Sequence, residues 1–208
     1  IKQPAAPTNY NPVGHYRRNF TVPKDWDGKE IRLHFEGVES AYYVWVNGKF
    51  VGYSENTFTD HEFNITDKLR SGENNISVQV FRWCDGSWME DQDFIRLAGI
   101  YRDAYIYALP KVHIQDFFVH ASVTSDYKNG DLSLSAWVQN TSTAAASDYT
   151  LEVSLYDEGG SQVISTQKAS VGSLASGKEN EVKFASTVVS GAKLWSAESP
   201  NLYTIVLA

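Results

Sequence analysis

Apolar residues recur at every second position through most of this chain. Tyr16, Phe20 and Val22 share one face of 15–22, Ile31, Leu33 and Phe35 share one face of the next run, and Ile76, Val78 and Val80 repeat the pattern in 75–82. A period of two is the signature of a strand with one buried face. The run 41–46 is apolar on both faces. It is followed by Asn47-Gly48 and then by Phe50-Val51-Gly52-Tyr53, which predicts a hairpin closed by a type I′ turn. Residues 65–69 have room for one short helical turn before Ser71-Gly72. A strand at 105–109 closes this first set, and Pro110 marks a boundary.

Beyond Pro110 the texture changes. Strands are predicted at 112–123, 132–138, 151–155, 163–166 and 182–187, separated by turns rich in Ser, Thr, Ala and Gly such as 141–147. Leu132, Leu134, Ala136 and Val138 alternate with Ser133, Ser135 and Trp137. Short strands at this spacing predict a β-sandwich, and no helices intervene to build a parallel sheet. There is no Cys…Trp…Cys signature, so the sandwich would be immunoglobulin-like without the usual disulfide. The expected fold class is all-β in two domains, 1–110 and 111–208.

Composition narrows the partners. Hydrophobic residues make up 42% and charged residues 21%, as in globular domains, and the formal charge is −7. An acidic surface repels phosphate, so neither nucleic acid nor an anionic membrane is an expected partner. No apolar run approaches the roughly 18 residues that span a bilayer. Cys84 is the only cysteine, which excludes an internal disulfide and a thiol-rich metal site. The cytoplasm fits best, and a periplasm is compatible. Residues 1–13 hold three of the six prolines and read as an extended arm. Ile1-Lys2-Gln3-Pro4 is no leader peptide, and 202–207 ends within a strand-like run, so a piece of a longer chain is expected.

The densest polar stretch is 85–96, with Asp85, Glu90, Asp91 and Asp93 beside Trp83 and Trp88. From residue types alone it is either a cation or sugar site or an ordinary solvated loop, and its spacing fails the EF-hand pattern. Asp91 and Asp93 would stand about 7 Å apart on an extended segment. Glycosidase pairs lie at roughly 5–9.5 Å, but nothing here would raise one pKa and lower the other, so catalysis by this pair is not expected. His61-Glu62 does not continue as a zinc-binding helix, and His113 and His120, seven apart in a strand, should face opposite ways. No G-x-S-x-G elbow or phosphate-binding glycine loop occurs. Four N-x-S/T sequons, at Asn19, Asn64, Asn75 and Asn140, are taken as chance.

Several stretches resemble one known family. These are Asn11-Pro12-Val13-Gly14-His15-Tyr16, Phe35-Glu36-Gly37-Val38-Glu39-Ser40-Ala41 and Val46-Asn47-Gly48-Lys49-Phe50-Val51-Gly52-Tyr53. The most specific is Arg82-Trp83-Cys84-Asp85-Gly86-Ser87-Trp88-Met89-Glu90-Asp91-Gln92-Asp93, followed by Gly99-Ile100-Tyr101-Arg102-Asp103 and, later, by 194–203. In this order, over nearly the whole chain, they resemble the β-galactosidases of glycoside hydrolase family 2.

The resemblance implies a partial jelly-roll, sugar-binding domain followed by an immunoglobulin-like sandwich. In that family a (β/α)₈ barrel comes next and carries the two catalytic glutamates of a retaining mechanism and a magnesium ion. No catalytic residue is therefore expected in this chain, which alone should be inactive. The family's first domain lends one carboxylate to the galactose subsite, where it also ligates sodium, and by position this is Asp93. Glu90, Asp91 and Arg96 would hold the shape of the segment around it. The implied partners are a galactoside substrate, the barrel of the same polypeptide and further copies in a homo-oligomer. Two departures stand out. An asparagine the family offers to substrate falls before Ile1, along with the first jelly-roll strands. A second-domain loop that crosses a subunit interface in relatives has little counterpart in 171–181. The rival readings are a free-standing carbohydrate-binding module and a purely structural pair of sandwiches.

Overall fold

The computed structural model describes residues 5–89 and 95–208, so Glu90, Asp91 and Asp93 lie outside the described residues. Contacts divide the chain into two units, Ile1–Pro110 and Lys111–Ala208. Both are all-β, and among the described residues the only helical pieces are 3₁₀ turns at Lys24–Trp26, Thr66–Lys68 and Gly86–Trp88.

The first unit holds β1 (Val13–Thr21), β2 (Glu30–Phe35), β3 (Val38–Glu39), β4 (Ala41–Val46), β5 (Lys49–Ser54), β6 (His61–Asn64), β7 (Glu73–Phe81), β8 (Gly99–Ile100) and β9 (Ala104–Leu109). They form a four-stranded sheet in the order β1-β7-β4-β5, a three-stranded sheet β6-β2-β9 and a small ribbon β3-β8. Every pairing is antiparallel. The two larger sheets share one core. Ile31, Leu33, Phe35 and Phe63 come from one sheet, and Tyr42, Val44, Val46, Val78 and Val80 from the other. The doubly apolar run of β4 thus sorts by shape. Its aliphatic positions and Tyr42 turn inward, while Tyr43 and Trp45 stay half-exposed on the outer face.

Local chemistry fixes the register. The β4–β5 turn has Asn47 at φ 52° and Gly48 at φ 74°, the left-handed pair a type I′ turn requires. Asn47 adds bonds of its own: Nδ2 donates to Lys68 O at 2.9 Å and Asn74 Oδ1 at 2.7 Å, and Oδ1 accepts from Asn75 N at 3.0 Å. One side chain therefore ties this hairpin to the start of β7. Gly52 is needed for a different reason. A Cβ there would lie 2.4 Å from the Phe63 ring, so only glycine lets β5 approach the opposite sheet.

The second unit holds β10 (Val112–Val123), β11 (Gly130–Asn140), β12 (Thr150–Tyr156), β13 (Gln167–Ser170), β14 (Glu179–Val189) and β15 (Thr204–Leu207). Two three-stranded sheets, β10-β11-β14 and β13-β12-β15, enclose a core of Leu134, Ala136, Val138, Leu151, Val153, Val182 and Phe184. This is the sandwich expected, and buried Asn140 organises its first long turn. Asn140 Nδ2 donates to Ala144 O and Leu174 O at 2.8 and 3.0 Å, and its Oδ1 accepts from Ser142 N at 2.9 Å.

Two expectations fail in this unit. The strand expected at 163–166 is instead an irregular segment, and the strand lies just beyond it, at Gln167–Ser170. Val163 and Ile164 do find an apolar cluster. However, Gln162 Nε2 bonds back to Ile164 O and Thr166 Oγ1, both at 2.9 Å, which folds the backbone out of a ladder. The second failure concerns His113 and His120. The β10–β11 register slips between Ile114 and Asp116, so His113 pairs with Gln139 and His120 with Ser133, an even spacing on β11. One bulge residue inverts the parity and puts both histidines on the same face. Six residues of strand, about 20 Å, still separate them, too far to share a ligand.

Candidate functional site

The segment that carries the family-like motif leaves the end of β7 and is held on both flanks. The N-terminal arm grips its start. Arg82 N donates to Pro12 O at 3.0 Å, while Asn11 Nδ2 donates to Trp83 O at 2.9 Å and Asn11 Oδ1 accepts from Trp83 N at 3.0 Å. Asn11 thus presents its amide to Trp83 as a neighbouring strand would. Further along, Trp88 Nε1 donates to Ala5 O at 2.9 Å. Residues 5–12 form no regular element and contribute these bonds to the segment.

The turn Gly86–Trp88 is closed by Ser87, Trp88 and Met89 amides donating to the carbonyls of Cys84, Asp85 and Gly86. Buried Ser87 steadies it by accepting from Cys84 N at 3.1 Å. The far flank is anchored by arginines. Arg96 Nη2 donates to Ser87 O at 2.7 Å, and Arg82 Nη2 donates to Arg96 O at 3.2 Å. Arg96 is thereby tied to Ser87 in the turn that precedes it. Arg82 Nε and Thr57 Oγ1 are buried without a hydrogen-bond partner among the described residues. The flanks also expose large apolar side chains, with Met89, Ile95 and Leu97 at 86%, 84% and 79%.

Beside the turn, ligand atoms of Glu55, Cys84 and Asp85 gather within 4.8 Å of one another, the one such group of three among the described residues. Tyr53 donates from its hydroxyl to Glu55 Oε2 at 2.9 Å. Burial first, and this bond second, push the Tyr53 hydroxyl well above its ordinary pKa.

A second polar constellation, unmarked by any local motif, covers the outer face of β6-β2-β9. Glu62 accepts from Tyr107 Oη at 2.5 Å and from Arg32 Nη1 at 3.1 Å, and Arg32 Nε donates to buried Glu30 at 2.8 Å. His34 Nδ1 lies 2.9 Å from Glu62 Oε1, and an ionised carboxylate only accepts, so Nδ1 carries the proton. The His34 ring stacks on Tyr105 with centroids 4.7 Å apart. Partial burial pushes Glu62 up, but the bonds from Tyr107, His34 and Arg32 outweigh it and hold the carboxyl below its usual range. A carboxylate satisfied by three donors is neither a good base nor a good nucleophile.

Glycosidase chemistry needs one carboxyl raised as an acid. The three carboxyls with a clear displacement among the described residues are Glu62, Asp67 and Asp126. All are displaced downward, the latter two chiefly by hydrogen bonds from Lys68 and Thr124. They are the wrong kind of group for proton donation.

Comparison with known proteins gives this architecture a context. A family model described as glycosyl hydrolases family 2, sugar binding domain, matches residues 1–110, and a second, described as glycosyl hydrolases family 2, matches 112–208. A β-galactosidase of Priestia megaterium is 49% identical over 208 residues, all of this chain and 20% of that protein. One from Clostridium acetobutylicum is 39% identical over 212 residues, again all of this chain and 22% of that protein. Among solved structures, a β-glucuronidase of Bacteroides uniformis superposes with a TM-score of 0.83 at 28% identity, covering 94% of this chain and 24% of its own. A putative β-galactosidase from Bacteroides fragilis gives 0.84 at 26% identity, covering 95% and 30%. The chain spans about a fifth of the length of the curated relatives it matches.

Proposed function

The chain belongs to glycosyl hydrolase family 2, and from that premise we propose that it is the non-catalytic portion of a retaining β-galactosidase, forming one wall of the galactose subsite. The observation that carries this reading is its 49% identity, from end to end, to a curated β-galactosidase. In this reading 1–110 is the sugar-binding domain and 111–208 the immunoglobulin-like sandwich that follows it in the chain. In this reading bond cleavage falls to the barrel of the longer polypeptide, where magnesium also belongs.

Asp93 is the residue assigned to the sugar. A carboxylate accepts hydrogen bonds from sugar hydroxyls, and as a hard oxygen donor it suits an alkali cation such as sodium. Arg96, held to Ser87, positions the segment that bears Asp93, with Glu90 and Asp91 as its neighbours. Cytoplasmic placement and assembly into a homo-oligomer belong to the same proposal. Among the described residues no helix is long and apolar enough to cross a membrane.

The test is a chimaera in which this chain replaces the matching fifth of the Priestia megaterium enzyme. The chimaera should hydrolyse a chromogenic galactoside, whereas the 208-residue chain alone should not. Asp93→Asn within the chimaera should lower kcat/KM and the response to sodium while leaving cooperative unfolding intact. Turnover by the isolated chain, or an Asp93→Asn chimaera with an unchanged sodium response, would refute the assignment. Preference for a glucuronide over a galactoside would favour the reading suggested by the Bacteroides uniformis structure.

A further inference from the structure

The first unit has a second opening, at the end of the sandwich away from the 82–98 segment. That segment leaves β7 after Phe81, whereas this cleft lies where β1 ends, β2 begins and β7 has yet to start. The nine residues of β7, about 30 Å, separate the two ends. The cleft has a volume of about 890 Å³ and is built from three backbone segments, 21–29, Ile31 and 66–72. This size lies within the range of small-molecule sites, roughly 300–1,000 Å³.

Its floor is apolar. Val22, Trp26 and Leu69 pack on the main core yet remain partly uncovered, and Ile31 beneath them belongs to the core itself. The lips are shaped turns. Gly28 at φ 74° and Gly72 at φ 82° reverse the chain on either side, and a Cβ at either would meet nothing within 4 Å. The rim has a sign of its own. Lys24, Lys29 and Arg70 face one carboxylate, Asp27, in a chain whose net charge is −7. Neither Lys24 nor Lys29 has a carboxylate partner among the described residues, and Arg70 Nε donates to a backbone oxygen, Glu73 O at 2.8 Å. Two lysines without an ion-pair partner among the described residues thus line the same cleft as the half-covered Trp26.

We propose that this cleft binds a small organic anion, with an apolar body lying against Trp26 and Leu69 and a carboxylate, sulfonate or phosphate group meeting Lys24 and Lys29. Apolar area supplies affinity, and the cationic rim selects for charge and orientation. A neutral sugar would leave both ammonium groups unmatched, and a cation would be repelled. The inference uses none of the residues assigned to the sugar.

The probe is 8-anilinonaphthalene-1-sulfonate, titrated into the 208-residue chain at low salt beside its uncharged relative N-phenyl-1-naphthylamine. The sulfonate should bind at least about tenfold more tightly, and the difference should shrink as salt screens the rim. In Lys24→Glu/Lys29→Glu the advantage should vanish while unfolding stays cooperative, since neither lysine makes an ion pair among the described residues. Amide resonances of Thr66, Leu69 and Gly72 should move on titration. Equal binding of the two probes, full sulfonate affinity in the double variant, or shifts confined to the β4–β5 face would each overturn the proposal.

Discussion

On the outer face of β6-β2-β9, Arg32, His34, Glu62 and Tyr107 hold one another by hydrogen bonds of 2.5–3.1 Å. On the outer face of the other sheet, Tyr43, Trp45, Phe50 and Tyr53 lie ring beside ring, with centroids 4.7–6.2 Å apart. Both faces sit on the same core, yet they respond differently to damage. In the polar network each group satisfies the others, and removing one leaves desolvated partners behind. In the aromatic cluster the neighbours share the same loose contact, and each ring is already partly wet. One face is cooperative and the other redundant.

The contrast predicts a hierarchy. Glu62→Leu removes the acceptor of three donors at once and should destabilise the chain by about 2–4 kcal/mol, near the range for broken buried polar networks. Urea unfolding measures this as a lower midpoint at unchanged slope. A loss no larger than that of Phe50→Ser would erase the distinction between the faces.

Acid sharpens the same comparison, with a smaller effect. The groups facing Glu62 are Arg32 and His34 from β2 and Tyr107 from β9, with Glu30, Asp60 and Tyr105 nearby. Because Glu62 is held below its usual range in the folded chain, the unfolded chain binds its proton first as pH falls. Its contribution is thus complete above the ordinary glutamate pKa and is lost as pH drops through the folded value. Unfolding free energy measured from pH 6 down to pH 2 should fall less steeply in Glu62→Gln than in the wild type. Parallel curves would show that the network does not hold the ionised carboxylate. Tyr107→Phe removes one donor and should cost about 1 kcal/mol, part of it shared with Glu62→Gln in a double-mutant cycle.

These faces also explain what could be read from the sequence. The inward positions of β2, β4, β7 and β11 followed from alternation alone, because a core admits few residue types at a fixed period. The Asn47-Gly48 turn was equally legible, since its backbone geometry permits little else. The polar network was not, because its members are scattered from residue 30 to residue 107 and meet only through the pairings of β2 with β6 and β9. His113 and His120 were misjudged because a single bulge residue, Gln115, has no marker in the sequence and inverts every face beyond it. At 163–166 three β-branched residues imitate a strand, but a glutamine side chain claims the backbone. Arg96 could be assigned a bracing part from the motif around it, and its bond to Ser87 is a contact that spacing alone would not have located.

The smallest expected effect lies on the aromatic face. Phe50 is 53% exposed, and its ring meets Tyr43 and Trp45 at 6.2 and 5.9 Å without a polar bond of any kind. Phe50→Ser gives up part of one apolar contact and leaves no donor or acceptor stranded, so unfolding should shift by less than about 1 kcal/mol. The sheet beneath is held by the inward Val44, Val46 and Val78, which the substitution does not touch. Tyr43→Ser is the informative partner. Tyr43 contacts Trp45, Phe50, Tyr53 and Phe81 together, and its loss should cost more than that of Phe50. If the two rings are in fact redundant, the combined variant will lose at least the sum of the separate losses. A double variant that falls well below that sum would mean that these rings, like the carboxylate network across the core, act as a unit.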